Sequence, residues 1–472
     1  MKEKDHVEMA AALPEPDALH LCQPNVDRAA SLETLAGAFG ERPAHAGPDS
    51  AVLDSVERAL DAAGDDDCVL ITGSLYVVAE ARDRWTQHQI PKRTDTPSAA
   101  RSVLSDAHVP DNFAERVARD TVSRTFKTQL RPEQAERLKR TMQSIGGTCL
   151  VSEIDATSRH VSVVLSGTVA QYGRLVDTIE DCEPGLSYVT DQLRDVTAAD
   201  DGAGRYPWDA DTAIMGILNV TPDSFYDGGR YDRATDAVER AREMISMGAD
   251  IVDVGGESTR PGAEPVTVAE GIVRVVPVID RISSADVPIS VDTRKAAVAD
   301  AALEAGADII NDVSGLEDPD MRFVAADHDA PVVVMHSVDA PVDPEHSVTY
   351  DDVVEDVIHE LGERVLLAER AGLDRDQIIV DPGIGFGKST DECFELLDRL
   401  EELRALGCPI MIGHSRKSVF ERVQRDTGDR LQPTVAATTM AAERGADVVR
   451  VHDVAANAAA IRAVRETHEA SR

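Results

Sequence analysis

Eight short apolar runs occupy the sequence from about Thr212 onward, and residues that can do chemistry follow every one of them. Carboxylates, amides, imidazoles and basic side chains in this regular arrangement predict one shared site. In chain order the ends of the runs read Asn219; Asp253 with Gly255-Gly-Glu-Ser-Thr-Arg260; Asp292-Thr-Arg-Lys295; Asn311-Asp312; His336; Asp381; Gly413-His-Ser-Arg-Lys417; and Arg450-Val-His452.

The residue types at three of these ends predict a pocket for a flat heterocycle. Asp292, Asn311 and Asp381 supply acceptors and an amide, which suit a ring that carries several N–H donors. Asp253 and Asp312 lie beside them, and their types leave open whether they contact a ligand or support the residues that do.

Other ends predict a pocket for phosphate. Arg260, Arg450 and His452 are cationic or can become so, which suits phosphate oxygens. Asn219 offers a neutral oxygen to Mg²⁺, whose other ligands would be water and phosphate. A heterocycle pocket joined to a diphosphate pocket favours displacement of pyrophosphate from carbon.

Two further patterns resemble a nucleotide site and a zinc site, but their details argue against both. The segment from Pro382 to Ser389 resembles a nucleotide P-loop, but a proline stands where that motif needs its first glycine. We therefore expect Lys388 to be structural or peripheral. His336, His414 and His452 do not pair at the spacing of zinc ligands, so we expect no zinc site.

The pattern of strands and helices explains how the eight ends could meet. Three copies of Gly-Ala-Asp with a β-branched run, at 248–252, 306–310 and 445–449, each follow a helical stretch. The glycine is expected to end the helix in a left-handed conformation before a buried strand begins. Eight strands alternating with helices predict an α/β fold, a (β/α)8 TIM barrel over 212–472, with its site where the strands end. A doubly wound open sheet is the alternative.

Two small α/β domains are predicted before the barrel, at 1–93 and 98–195, with a linker at 196–211. The first domain has helical stretches near Ala29–Phe39 and Ser50–Ala63 and strand-like runs at Ala18–Cys22 and Cys68–Thr72. The second has a helix that begins at Pro132, a helix over Ala170–Glu180, and strands at Thr121–Leu130, Thr148–Ser152 and Val161–Ser166.

The composition excludes several classes of protein. The net charge is −38, from 86 acidic and 48 basic residues, and such a surface repels nucleic acid and anionic membranes. It is typical of a cytoplasm rich in salt, where charges are screened over short distances. The apolar runs are too short to span a membrane, and the six scattered cysteines indicate a reducing compartment. We expect a cytoplasmic protein.

The motifs at the strand ends resemble those of dihydropteroate synthase. Seven of them occur in the family's order: Gly216–Gly229, Asp253–Gly262, Ser290–Lys295, Ile310–Val313, Asp381–Lys388, Gly413–Ser418 and Arg450–Asp453. The resemblance implies a Mg²⁺-dependent condensation of dihydropterin pyrophosphate with p-aminobenzoate, which gives dihydropteroate and pyrophosphate. It also implies a homodimer of barrels.

The resemblance implies a role for each matching residue. The pterin residues are Asp292, Asn311, Asp381 and Lys417, and the diphosphate residues are Arg260, Arg450 and His452. Thr259, Phe386 and Ser415 match residues beside the aminobenzoate, and Asn219 matches the position near the metal. Asp292, Lys417 and Arg260 are the expected catalytic residues. Three alternatives stay open: a pterin-binding methyltransferase, a non-catalytic binding protein, and transfer to a different arylamine.

The first domain carries a second resemblance, to the C-terminal end of folylpolyglutamate synthase. Asp67–Arg82 and Cys22–Arg28 carry this resemblance, and no P-loop of a ligase is present in the sequence. We therefore expect no ligase activity from this segment alone, and a separate folylpolyglutamate synthase domain is an expected partner. The domain at 98–195 has no functional interpretation.

Overall fold

The chain forms two compact units, Met1–Arg93 and Thr94–Arg472. Within the described residues, every helix is too short or too polar to cross a membrane. The computed structural model describes residues 6–27, 29–40, 44–45, 51–64, 66–86, 90–92, 94–152, 159–180, 186–197, 206–209, 211–220, 230–257, 266–338, 348–423 and 430–470.

The N-terminal unit is small and mostly helical. Its elements are α1 (His6–Ala11), β1 (Leu19–His20), α2 (Leu32–Phe39), β2 (Ala44–His45), α3 (Val52–Ala62) and α4 (Leu75–Thr86). The two strands pair in parallel over only two residues each. A small cluster, Val52, Val56, Val77 and Ala81, forms the buried core between α3 and α4.

One predicted strand of this unit is wrong. Cys68–Thr72 has the composition of a strand, but these residues form no strand, and Leu70 is 62% exposed. A strand exists only where a neighbouring strand takes up its backbone hydrogen bonds. In the part of the chain that the structure describes, no strand pairs with this run.

The second unit begins with a small α/β module. It contains α5 (Pro97–Asp106), α6 (Asp111–Thr121), β3 (Ser123–Leu130), α7 (Pro132–Ser144), β4 (Thr148–Val151), β5 (Val161–Thr168), α8 (Val169–Glu180) and α9 (Ser187–Thr197). The three strands are antiparallel in the order β3-β5-β4, so the predicted strands are confirmed with small shifts of their ends. Lys127 on β3 forms an ion pair with Glu355 of the barrel, with 2.5 Å between Nζ and Oε1. Most of the predicted linker at 196–211 lies outside the described residues.

Eight parallel strands then form the barrel. They are β6 (Ala213–Asn219), β7 (Ile251–Gly255), β8 (Ile289–Asp292), β9 (Ile309–Asp312), β10 (Val332–Met335), β11 (Ile378–Asp381), β12 (Met411–Ile412) and β13 (Val448–Val451). The strand order is β11-β10-β9-β8-β7-β6-β13-β12. A parallel bridge between Val380 and Ile410 joins the two ends of this order, which closes the barrel and rules out an open sheet.

Helices cover the outside of the barrel. They are α10 (Arg230–Ser246), α11 (Val268–Ile282), α12 (Ala296–Glu304), α13 (Met321–Asp327), α14 (Val353–Ala371), α15 (Thr390–Asp398), α16 (Leu431–Glu443) and α17 (Val454–Glu469). Short 3₁₀ helices lie at Pro207–Asp209, Arg375–Gln377, Leu400–Leu406 and Ser418–Arg422. Trp208, from the first of these, packs against residues at the beginnings of the strands and fills that end of the barrel. The opposite end is left for the polar residues.

The Gly-Ala-Asp repeat has a structural role at three strand beginnings. Gly248, Gly306 and Gly445 have φ angles of +99°, +102° and +82°, which confirms the predicted left-handed helix ends. The aspartates add a contact that the sequence did not predict, because each carboxylate accepts a hydrogen bond from the first residues of the neighbouring strand. The donors are the amides of Ile214, Ile289 and Ile410, at 2.8, 2.8 and 2.7 Å from Asp250, Asp308 and Asp447.

We predict that Asp308→Ala destabilises the barrel by about 1–2 kcal/mol, because the amide of Ile289 loses a charged acceptor at the edge of the core. Urea unfolding followed by circular dichroism in concentrated KCl would measure this. Asp300→Ala is the matched control, since Asp300 is 51% exposed and pairs only with His328 among the contacts described for its side chain. Equal stability of the two variants would contradict a role for the repeat.

Candidate active site

The polar residues at the strand ends form a continuous row on the barrel wall. The strand register pairs Asn219 with Gly255, Gly255 with Asp292, and Asp292 with Asn311. Gly255 leaves room within this row. A β-carbon there would lie 3.5 Å from Oδ2 of Asp292 and 3.6 Å from Oδ1 of Asn219. The two oxygens therefore face the same space.

Arg450 crosses to this row from β13. Its Nε donates to Oδ2 of Asp253 at 2.7 Å, and its Nη2 donates to Oδ2 of Asp292 at 2.5 Å. These contacts connect β13 with β7 and β8 across β6. A guanidinium shared by two carboxylates, one fully buried and one largely buried, has a fixed direction, because its planar set of donors matches both.

Asp253 is one of the two residues whose roles the sequence left open. It is fully buried, and the same Oδ2 atom that contacts Arg450 accepts a hydrogen bond from Nδ2 of Asn311 at 3.1 Å. No described residue donates to its Oδ1. Asp253 therefore orients one residue of the predicted diphosphate pocket and one of the predicted pterin pocket. A carboxylate in the middle of a buried apolar strand was the available signal, because such a group needs partners.

The carboxylates of Asp292 and Asp312 have different surroundings and different hydrogen-bond partners. Burial raises the pKa of Asp292 to about 7, although Arg450 opposes the shift. Burial also raises the pKa of Asp312, although its carboxylate accepts hydrogen bonds from Ser314 and Leu316 at 2.6–2.9 Å. Asp312 thus holds the loop after β9, whereas Asp292 faces the row of polar residues.

Asp381 and Lys417 lie on the other side of the barrel mouth, near enough for their charges to interact. Oδ1 of Asp381 accepts from the amide of Gly383 at 2.7 Å, and Nζ of Lys417 donates to the carbonyl of Ile384. That ammonium also lies 4.5 Å from the ring centroid of Phe386, a cation–π contact. Burial lowers the pKa of Lys417 to about 8, and Asp381 opposes this shift. The structure thus places Lys417 and Phe386 together beside the carboxylate.

Lys388 has the structural role expected from the sequence. Its Nζ lies 2.9 Å from Nδ1 of His336 and donates to the carbonyls of Gly383 and Phe386 at 3.2 and 3.1 Å. Gly383 has a φ of +68°, and a β-carbon there would lie 1.9 Å from the carbonyl oxygen of His336. Lys388 and the glycine together fix the loop that carries Phe386.

The loops after β12 and β13 are joined at the edge of the site. The Ser415 hydroxyl accepts from the amide of His452 at 3.1 Å and lies 3.0 Å from its Nδ1. Arg416 forms an ion pair with Asp453, with Nε and Oδ2 2.7 Å apart. The predicted aminobenzoate residue Ser415 therefore contacts the predicted diphosphate residue His452.

Two predicted site residues, Thr259 and Arg260, lie outside the described residues. The segment that leads to them is anchored at Glu257, which accepts hydrogen bonds from Arg294 at 3.0 Å and from Lys295. Burial opposes the ionisation of Glu257, but these two cations hold its pKa below the ordinary value. Glu257 is therefore held against the residues that follow β8.

We predict that Asp253→Ala destabilises the barrel by about 3 kcal/mol, because the guanidinium of Arg450, only 19% exposed, loses its fully buried carboxylate partner. Urea unfolding measures the change. Asp211→Ala is the control, since Asp211 and Arg465 form an exposed pair at 3.6 Å, which should contribute less than about 1 kcal/mol. Similar losses in both variants would contradict the role of Asp253.

Known proteins share this barrel and its motifs. The family described as pterin binding enzyme matches residues 215–452. The dihydropteroate synthase of Bacillus subtilis is 48% identical over 246 residues, which cover 52% of this chain and 84% of the relative. The probable bifunctional folylpolyglutamate synthase/dihydropteroate synthase of Haloferax volcanii is 52% identical over 492 residues and matches 100% of this chain. This chain spans only 59% of that relative's length.

A solved structure agrees with these relatives. The dihydropteroate synthase of Xanthomonas albilineans with 4-aminobenzoic acid has 44% sequence identity and a TM-score of 0.51, and it covers 55% of this chain and 94% of its own. The match over nearly the whole of that enzyme corresponds in extent to the closed barrel described above. The chain therefore belongs to the pterin binding enzymes, and its barrel is that of the dihydropteroate synthase family.

Proposed function

We propose that this chain is a dihydropteroate synthase of folate biosynthesis, which joins dihydropterin pyrophosphate to p-aminobenzoate. One observation carries the proposal: Asn219, Asp292 and Asn311 form a single row, and Arg450 is hydrogen-bonded to that row. The relatives are named for this reaction, and the site supplies both acceptors for a heterocycle and cations for a diphosphate.

The pterin would bind among Asp292, Asn311, Asp381 and Lys417. The two carboxylates can accept hydrogen bonds from ring N–H groups, and the amide of Asn311 is oriented by Asp253. Lys417 donates from the opposite side of the barrel mouth. Because these groups are held by buried contacts, their positions are set before the ligand arrives.

The diphosphate would bind beside Arg450, His452 and Arg260. Mg²⁺ fits the same place, because oxygens of Asn219 and Asp292 face one space above Gly255, as a hard cation requires. Asn219 would hold the ion, and water and diphosphate oxygens would be its other ligands. When bound, the ion would neutralise charge on the diphosphate.

The reaction would proceed by departure of pyrophosphate. The bond between the methylene carbon and the diphosphate oxygen breaks, and both electrons leave with pyrophosphate. Asp292 would stabilise the pterin cation, and Arg450 and Arg260 the developing charge on the leaving group. The aniline nitrogen, beside Thr259, Phe386 and Ser415, then bonds to the carbon and loses a proton.

Several wider properties belong to the same proposal. The chain would work in the cytoplasm, and its net charge of −38 suits a salt-rich one. The barrel would form homodimers, and a folylpolyglutamate synthase domain would be a partner of the N-terminal unit. The chain would contain three domains, at 1–93, 98–195 and 212–472, with a linker at 196–211. The first would bind the folylpolyglutamate synthase domain, and the third would catalyse the reaction and form the homodimer.

We expect the chain, purified in concentrated KCl, to release pyrophosphate from dihydropterin pyrophosphate when Mg²⁺ and p-aminobenzoate are present. Lys417→Ala should lower kcat/KM by about 10²–10³-fold, because a buried donor to the pterin is lost. Lys139→Ala is the matched control, since Lys139 lies outside the barrel and pairs with Glu136.

Mass spectrometry would identify the product. Pterin binding without turnover would contradict this acceptor, and other arylamines would then be compared. Turnover that survives in Lys417→Ala would contradict the assigned site.

We also predict that turnover falls at alkaline pH. Because burial lowers the pKa of Lys417 to about 8, its charge is lost as the pH rises through that value, and kcat/KM should fall above pH 8. Lys417→Arg keeps the charge over this range, so its residual activity should lack the decline. An unchanged alkaline decline in Lys417→Arg would assign the titration to another group.

A further inference from the structure

The N-terminal unit contains a large open cleft that its own core does not fill. The cleft has a volume of about 1330 Å³, which exceeds the roughly 300–1,000 Å³ of a pocket for a small molecule. Apolar side chains make up much of its lining, among them Leu21, Val26, Phe39, Val56 and Ile71.

The cleft also includes a stretch of backbone that forms no hydrogen bond with the described residues. Its wall includes Cys68–Thr72, the run with strand composition that forms no strand. Among the described residues, no backbone hydrogen bond is formed by the amides of residues 69–72. A row of free backbone groups beside apolar side chains is a template for an added strand. An added strand would account for both the composition of this run and its present lack of pairing.

The charge of the lining restricts what could fill the cleft. Four acidic residues, Glu15, Asp17, Asp27 and Asp67, line it, and its described lining includes no lysine or arginine. The best complement is an apolar strand with basic residues at its flanks.

We propose that the N-terminal cleft is the docking surface for the remaining polypeptide of a folylpolyglutamate synthase module, which adds a strand beside Cys68–Thr72. The match to the Haloferax volcanii relative covers this whole chain and 59% of the relative. The rest of the relative's length lies outside the match. The name of this relative includes folylpolyglutamate synthase, the ligase that the N-terminal unit resembles. The surface is the same whether that polypeptide is a separate chain or is joined to this one.

The test mixes the full chain with the part of the Haloferax relative that lies outside the match, produced as a separate polypeptide. We expect a one-to-one complex in size-exclusion chromatography, and slower hydrogen exchange at the amides of 69–72. Leu70→Asp should weaken binding at least about tenfold, since Leu70 lines the cleft and is 62% exposed. Leu75→Asp is the matched control, because Leu75 is 84% exposed and lies outside the lining.

A second measurement does not require the isolated segment to fold. Hydrogen exchange in the intact Haloferax relative should be at least about 100-fold slower at the positions equivalent to 69–72 than in this chain. Equal exchange in both proteins would overturn the proposal, as would self-association that Leu70→Asp abolishes. Neither readout depends on turnover, so failure here is distinct from failure of the proposed synthase activity.

Discussion

Arg450 contacts Asp253 and Asp292 from a strand that is separated from theirs by β6, and the arrangement of the site depends on this shared guanidinium. Without it, the carboxylates of Asp253 and Asp292 would lie close together with no cation between them, and their repulsion would be poorly screened. With it, Asp253 stays available to orient Asn311 through the same oxygen. The predicted pterin and diphosphate pockets are thus parts of one hydrogen-bonded group.

The site holds two cations, Arg450 and Lys417, within a strongly acidic protein. The chain has a net charge of −38, so a diphosphate would be repelled over most of its surface. Concentrated salt shortens that repulsion to about 3 Å at 1 M, whereas the partly buried cations at the barrel mouth are screened much less. An acidic exterior is therefore compatible with an anionic substrate, provided that the cations lie inside the mouth. Lys417 and Arg450 do.

The two units differ in how completely their strands are paired. In the barrel every strand has two neighbours, and the repeated aspartates bind the beginnings of three strands to those neighbours. In the N-terminal unit the only ladder found in the described residues has two pairs of residues. A run with strand composition lies beside an open cleft there. The proposed added strand would give this unit a further pair of strands with hydrogen bonds between their backbones, as the barrel has between all its neighbouring strands.

The sequence determined the barrel and the kinds of residue at its mouth, because both follow from local patterns. Alternating strands and helices place all strand ends on one edge, and the structure puts Asn219, Asp292, Asn311, Asp381 and Arg450 within the strands themselves. Only the tertiary structure decided that Asp253 holds Arg450, since 197 positions separate them. It also decided that Asp312 and Lys388 hold loops, and that Cys68–Thr72 is not a strand. The physical reason is the same in each case: composition and spacing act over a few residues, whereas a hydrogen-bond partner is supplied by whichever part of the chain folds beside it.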